Sequence, residues 1–294
     1  MTKIPWTDET INPWVGCTKI AEGCKHCYAE QMARRLRAIG HKAYADVIGP
    51  HGKWTGRIGY QMEQLDKLKK GPPRMIFMCS MSDPFHEAVP FEYIDKVMAV
   101  TALCPQHTIQ ILTKRIKRAA EYFGECNHLG CGLGDRLSNG IANYANMPPA
   151  EIRKKWPLPN LWLGTSISTQ PDADKNIPIL LQIPAAVRFL SIEPMLEEIY
   201  LPGPLLNHGF GYDYNQKPEK IDLVIVGCES GPRQRPCEHG WIRDVIRHCQ
   251  GEISVFVKQV PVNGKCSKNP AEWPDDLRVQ EHPELINNLC PRYK

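Results

Sequence analysis

No stretch of this 294-residue chain approaches the ~20 consecutive apolar residues of a membrane-spanning helix, so a membrane-embedded protein is not expected. The opening residues Met1-Thr2-Lys3-Ile4-Pro5-Trp6 lack the apolar core of an export signal, which points to the cytoplasm and to reduced thiols. Internal repeats and low-complexity tracts are missing too. Charge of one sign is scarce: 36 Lys and Arg stand against 32 Asp and Glu, a net +4, so no global field demands a polyanionic partner. A local basic surface stays compatible with that balance. The chain also has no Gly-x-Gly-x-x-Gly at a strand–helix junction, which makes a Rossmann-like open sheet the second choice of fold.

Cysteine is what the chain has in excess. Its twelve cysteines are more than packing alone asks of a cytosolic protein, and a chain of this length buries an ample core without disulfide staples. Three of them, Cys17, Cys24 and Cys27, fall within eleven residues in the stretch Asn12-Pro13-Trp14-Val15-Gly16-Cys17 … Cys24-Lys25-His26-Cys27-Tyr28-Ala29-Glu30. The stretch reads as a loop after the first strand of an α/β barrel, presenting three thiolates to one metal centre. Three is an informative number. A structural zinc site needs four protein ligands, and an electron-transfer cluster normally has four cysteines. Three leave one iron of a [4Fe–4S] cluster open to a substrate or cofactor. The alternative is a zinc site completed by His26 or another cysteine.

The rest of the chain alternates apolar strands with amphipathic helices. Ala29, Met32, Ala33, Leu36 and Ile39 recur at helical spacing and predict a helix over 28–39 ended by Gly40. Its Arg34, Arg35 and Arg37 are either a solvated face or phosphate contacts. Residues 41–70 read as a loop or short hairpin, mixing His51, Lys53 and Arg57 with Trp54 and Tyr60, as nucleic-acid-binding loops do. Strands are then expected at 74–79, 108–112, 160–164, 186–190, 222–226 and 253–257, with helices at 91–103, 116–123, 172–181 and 241–249. Polar residues cluster where each strand stops, and barrel enzymes keep their chemistry at that end. The expected fold is α/β: a partial (β/α)6 TIM-like barrel over 1–260, with insertions near 41–70, 124–159 and 200–220 and a C-terminal extension over 261–294. The middle insertion carries Cys126, His128 and Cys131, a possible zinc or second cluster site or merely a lid with incidental thiols, and a basic–aromatic run from Tyr144 through Arg153, Lys154 and Lys155 to Trp156. The extension holds Cys266 and Cys290.

The cysteine stretch resembles the cluster loop of radical SAM enzymes, most closely the spore photoproduct lyase-like branch, where Asn-Pro…Gly-Cys leads in and Cys-Tyr-Ala leads out. Over roughly Ile4 to Gln259 the chain resembles a phage-associated family of three-cysteine radical SAM-like proteins. The stretches that carry this are Met81-Ser82-Asp83-Pro84-Phe85-His86-Glu87, Ile111-Leu112-Thr113-Lys114-Arg115 and Gly227-Cys228-Glu229-Ser230-Gly231-Pro232. The chain departs from the superfamily in its first cysteine gap, six residues instead of three. That widens the loop and keeps three ligands.

The resemblance implies a barrel of radical SAM type in which Cys17, Cys24 and Cys27 hold a [4Fe–4S] cluster. SAM would chelate the open iron, and reductive cleavage would give a 5′-deoxyadenosyl radical that abstracts hydrogen from the substrate. It implies Ser80, Ser82 and Asp83 near the methionine amino group, and Lys114 or Arg115 near its carboxylate. Ser166 and Ser168 would face the ribose, and Glu193 and Glu229 the sulfonium or a substrate amine. Each has a bland alternative as a capping or loop-closing residue. Cys79 and Cys228, at strand ends, are candidate hydrogen-atom donors, with packing as the alternative. The expected substrate is a nucleobase, modified and in DNA, undergoing rearrangement or bond cleavage of isomerase or lyase type. The electron would come from an external donor such as a flavodoxin or ferredoxin, in the cytoplasm of a bacterial or phage-infected cell. Two other readings stand beside it: radical SAM modification of a protein or small metabolite, and a non-enzymatic zinc or iron–sulfur binding module.

Overall fold

A computed structural model of the chain describes residues 2, 4–124, 135–201, 203, 207–212, 218–251 and 253–283. The strands are β1 (Glu9–Ile11), β2 (Trp14–Val15), β3 (Gly59–Tyr60), β4 (Met75–Met78), β5 (Thr108–Thr113), β6 (Leu161–Ile167), β7 (Val187–Ile192), β8 (Asn207–Tyr212), β9 (Pro218–Lys220), β10 (Leu223–Gly227), β11 (Ser254–Val262) and β12 (Lys265–Ser267). The helices are α1 (Tyr28–Ala38), α2 (Phe91–Leu103), α3 (Ile116–Phe123), α4 (Asp135–Ala145), α5 (Pro149–Lys154), α6 (Gln170–Leu181) and, as α7, His239–Cys249. Eight strands make one mostly parallel sheet in the order β1-β4-β5-β6-β7-β10-β11-β12. Every residue of β4, β6, β7 and β10 is buried, as expected of parallel strands covered on both faces. This is the mixed α/β class expected, with a strand order compatible with a partial barrel. No helix of the described residues is long and apolar enough to cross a membrane.

The chain divides into two compact units: residues 1–163 with 183–186, and residues 164–182 with 187–294. In the first, β1, β4 and β5 run parallel side by side. Between β4 and β5 lies α2, and the described part of the 124–159 insertion folds as α4 and α5. Gly140 lets α4 approach α2, since a Cβ there would stand 2.4 Å from Asp95 Oδ2, which the tight packing forbids. Tyr122 Oη donates to the other Asp95 oxygen at 2.7 Å. Trp156 is buried, its ring 5.8 Å from that of Phe123. The 144–156 run is therefore helical and partly core, which corrects the expectation of a basic–aromatic loop there. Cys126, His128 and Cys131 lie outside the described residues, as does Cys290.

In the second unit β7, β10 and β11 are parallel, and β12 folds back antiparallel on β11. Gly164 sits where a Cβ would lie 2.6 Å from the Phe189 ring. The expected strand over 253–257 runs on to Val262, because Lys258 and Gln259 find polar partners on Glu193 and on the Cys228 carbonyl instead of needing water. Residues beyond 261 complete the sheet. Besides β12, Val257 N–H donates to Val279 O and Glu281 N–H to Val255 O, both at 2.8 Å.

Candidate metal centre

The cysteine loop begins where β1 ends. Asn12 Oδ1 accepts the Met81 N–H at 2.9 Å and the Ser80 hydroxyl at 3.2 Å, while Gln61 Nε2 donates to Asn12 O at 2.7 Å. Gly16 has φ +102°, and a Cβ there would stand 2.3 Å from Arg57 O, so only glycine serves this turn. Gly16 N–H donates to Met81 O at 3.1 Å, and Ser82 Oγ donates back to Gly16 O at 2.6 Å. The lead-in to Cys17 is thus zipped to the segment that follows β4.

Arg115, just after β5, locks the next two residues. Its guanidinium is buried and donates to both Glu87 oxygens (2.9 and 2.8 Å), to Asp83 Oδ2 (3.3 Å), and to Thr18 O (3.2 Å) and Oγ1 (2.6 Å). Its Nη1 lies 3.7 Å from Cys17 Sγ. Burial works against the charge on Arg115, and Asp83, Cys17 and Glu87 together outweigh it and raise its pKa. Asp83 is fully engaged: Thr113 Oγ1 (2.7 Å), Phe85 N–H (2.9 Å) and Lys114 N–H (3.0 Å) all donate to its carboxylate besides Arg115. His86 Nδ1 accepts the Ala88 N–H at 3.1 Å, which leaves Nε2 as the donor toward Thr18 Oγ1, also at 3.1 Å. Burial and the Arg115 cation hold that imidazole below its ordinary pKa, so it is neutral near pH 7.

Cys17, Cys24 and Cys27 are all free and half-buried. Cys24 closes a short 3-10 turn, and Cys27 is the N-cap of α1 with no side-chain cap bond. Burial and the Asp83 charge push the Cys17 thiol up to about 12, against the pull of Arg115, with Cys27 close enough to add to the rise. Lys19, between the cysteines, pairs with the buried Glu30 of α1 at 2.8 Å. Among the described residues no group of three or more His, Cys, Asp or Glu side chains converges at metal-holding distances. The donor set nonetheless suits a soft metal centre: three thiols outside any disulfide on one loop, at a helix N-terminus whose first N–H groups have no side-chain cap.

The other residues singled out from the sequence are placed as follows. Cys79 is buried in a left-handed conformation (φ 60°) at the end of β4, and burial, with Asp83, raises its thiol well above the ordinary value. In the second unit, Ser166 Oγ reaches Glu193 O at 3.5 Å, Ser168 N–H donates to Asp172 Oδ2 at 3.1 Å, and the buried Ser168 hydroxyl has no hydrogen-bond partner among the described residues. Glu193 is paired with Lys258 and accepts from Gln259 Nε2 at 3.2 Å. Glu229 accepts three bonds from Arg235, two from its guanidinium (3.0 and 2.5 Å) and one from its N–H (2.9 Å). Both glutamates are internally neutralised. Thr18, His86, Arg235 and Lys258 carry no site signal of their own in the sequence, and Arg115 is expected there only as an alternative to Lys114. The signal was an acid pair after one strand (Asp83, Glu87) facing an arginine after its neighbour.

In the basic–aromatic loop at 41–60, Tyr44, Val47 and Ile48 are buried, while His51, Lys53, Arg57 and Tyr60 are exposed. Arg34 donates to Gly52 O and Arg37 to Gly49 O (3.1 Å), so two of the α1 arginines each give one bond to the loop, while Arg34, Arg35 and Arg37 all stay exposed to solvent. Lys53 lies 3.7 Å from Glu30, and Trp54 is half-buried against Val15, Ala33 and their neighbours. Arg57 and Tyr60 stay exposed, with the Tyr60 ring stacked on Tyr93 at 4.4 Å.

Residues 1–272 match a family described as protein of unknown function (DUF5131), and the chain belongs to that family. No curated protein and no solved structure matches the chain.

Proposed function

We propose that this DUF5131 chain is a radical SAM enzyme whose Cys17, Cys24 and Cys27 hold a [4Fe–4S] cluster. The observation that carries the reading is the meeting of three parallel strand ends. The segments leaving β1, β4 and β5 are bound together by Asn12, Ser82, Asp83 and Arg115 around a loop with three free thiols. When bound, the cluster supplies the electron that cleaves SAM reductively. The chain's own residues do the positioning. Arg115 fixes Cys17 and Thr18, Asp83 fixes Arg115, and Glu30 with Lys19 fastens the middle of the loop to α1. The uncapped N-terminus of α1 beside Cys27 favours negative charge on the ligating sulfurs.

A nucleobase in DNA is the substrate class this reading takes. Its supports are the lyase-like cysteine stretch and, on the surface of the first unit, exposed Arg57 and Tyr60. Trp54 and Trp156 no longer count toward it, because both are packed against the protein. An external one-electron donor is required as partner.

Anaerobic reconstitution with iron and sulfide, followed by dithionite and SAM, tests the reading. The expected result is a brown protein with four irons per chain that forms 5′-deoxyadenosine. A colourless chain holding a single zinc, with SAM left intact, would make the loop structural and overturn the enzyme assignment.

A further inference from the structure

Arg115 does more to the cysteine loop than hold it in place, because it brings a charge to one of the sulfurs. Its Nη1 donates to Cys17 Sγ at 3.7 Å. The side chain keeps only 4% exposure, so water screens that charge little. Arginine stays protonated when buried, which makes the donor a permanent cation. Its other contacts aim the fork. Nη2 donates to Thr18 O at 3.2 Å and to Thr18 Oγ1 at 2.6 Å, and the Arg115 N–H donates to Thr113 Oγ1 at 2.8 Å. With the guanidinium held in this way, Nη1 has Cys17 Sγ and Asp83 Oδ2 as partners.

Two carboxylates offset the cation, and they are unlike. Asp83, with 7% side-chain exposure, lies 3.3 Å from Nη1 and also accepts from Thr113 Oγ1 and from the Phe85 and Lys114 N–H groups, which take up part of its charge. Glu87 accepts from Arg115 Nε with both oxygens, at 2.9 and 2.8 Å, while its side chain is 61% exposed. Asp83 belongs to the core. Glu87 is a surface group bonded to a buried cation that touches Cys17.

We propose that Arg115 raises the reduction potential of the cluster held by Cys17, Cys24 and Cys27, through a charged hydrogen bond to the Cys17 sulfur, and that Glu87 tempers this effect. The inference rests on the function proposed above and gives Arg115 an electronic role besides positioning. The external donor is oxidised by one electron and the cluster reduced by one, with no covalent bond changed. That electron adds negative charge shared with the ligating sulfurs. A cation bonded to one of those sulfurs stabilises it, so the reduced form is favoured and the potential rises. Glu87 acts the other way by offsetting part of the guanidinium charge. A surface carboxylate thus reaches a buried metal ligand through a single side chain.

The test is an anaerobic redox titration of the reconstituted full-length chain, followed by the electron paramagnetic resonance signal of the reduced cluster, with iron counted in each sample. Arg115→Gln removes the charge and should move the midpoint to a more negative potential. The equilibrium constant for reduction should fall about tenfold, which for one electron is about 59 mV. Glu87→Gln keeps a neutral acceptor for Nε and should move the midpoint in the opposite direction, by less, because solvent screens that carboxylate. A role in folding alone would not give shifts of opposite sign. Midpoints equal to that of the unaltered chain in variants that hold a full cluster, or shifts of the same sign, would overturn the inference and leave the proposed function standing. Where Arg115→Gln fails to load iron, Glu87→Gln decides: a higher midpoint supports the proposal and an unchanged one overturns it. An unaltered chain that assembles no four-iron cluster would overturn both.

Discussion

The two cysteine regions hold the same number of thiols and differ in how the chain brings them together. Cys17, Cys24 and Cys27 lie on one loop, all half-buried, held by hydrogen bonds from residues that are not cysteines. Cys228, Cys237 and Cys266 come from three separate segments, after β10, before α7 and in β12. The first set is spaced for a shared ligand and flanked by an uncapped helix N-terminus. The second has a buried Cys228 and Cys237 and a half-buried Cys266 in the last strand of the sheet. Thiol count alone does not mark a metal loop; spacing on one segment, exposure and immediate partners do.

Iron content breaks the comparison most sharply. Cys17→Ala, Cys24→Ala and Cys27→Ala should each lose the four-iron cluster entirely after reconstitution while keeping the far-UV spectrum of the folded chain. The triple replacement of Cys228, Cys237 and Cys266 by Ala should keep its iron. A full cluster in any of the first three, or loss of iron in the triple variant, would exchange the roles of the two regions.

Stability separates the scaffolds next. Arg115→Met leaves the Asp83 carboxylate buried without its cation and should destabilise the first region by about 3–5 kcal/mol in denaturant unfolding. Arg235→Met uncouples Glu229 in the second region, but Arg235 keeps 21% side-chain exposure, so a smaller loss of about 1.5–3 kcal/mol is expected. Equal losses would mean that Arg115 is no more than one pairing among several.

What the sequence displayed and what it hid follow the same division. Local signals were sufficient for α2 and α3, whose bounds match the periodic runs at 91–103 and 116–123, and for the cysteine loop after β1. Signals that need a tertiary partner were not legible. Trp54 and Trp156 look like stacking platforms until Val15 or Phe123 is beside them. Lys258 and Gln259 look like the end of a strand until Glu193 and the Cys228 carbonyl take their polar atoms. Arg115 becomes a hub only because β4 and β5 are neighbours, which puts Asp83, Glu87 and Thr18 within its reach.

Acid provides a milder way to loosen the first region. Burial raises the Glu30 carboxyl, but the bonds from Lys19 and the Trp54 N–H, with the Lys19 and Lys53 charges, outweigh it and leave the pKa below the ordinary value. A carboxyl depressed on folding contributes stability that is present above its unfolded pKa of about 4.3 and is lost as pH falls through the lower folded value. Unfolding followed from pH 7 into the acid range should therefore show a loss that Glu30→Gln removes. An unchanged acid slope in the variant would mean that Glu30 does not fasten Lys19 and the loop.

The smallest effects should come from the surface that the nucleobase reading uses. Each phosphate contact releases counterions, so removing one reduces the salt slope of DNA binding by about one unit. Arg57 is exposed, and Arg57→Ala should weaken binding across sequences and flatten the slope by about that much. Lys53 is already shared with Glu30 at 3.7 Å, so Lys53→Ala should change the slope less, and stability by no more than about 1 kcal/mol, given its 62% side-chain exposure. Equal slopes for the two variants would show that the Glu30 contact does not restrain Lys53. No change in either would remove this loop from the DNA argument and leave the substrate question to the cysteine loop alone.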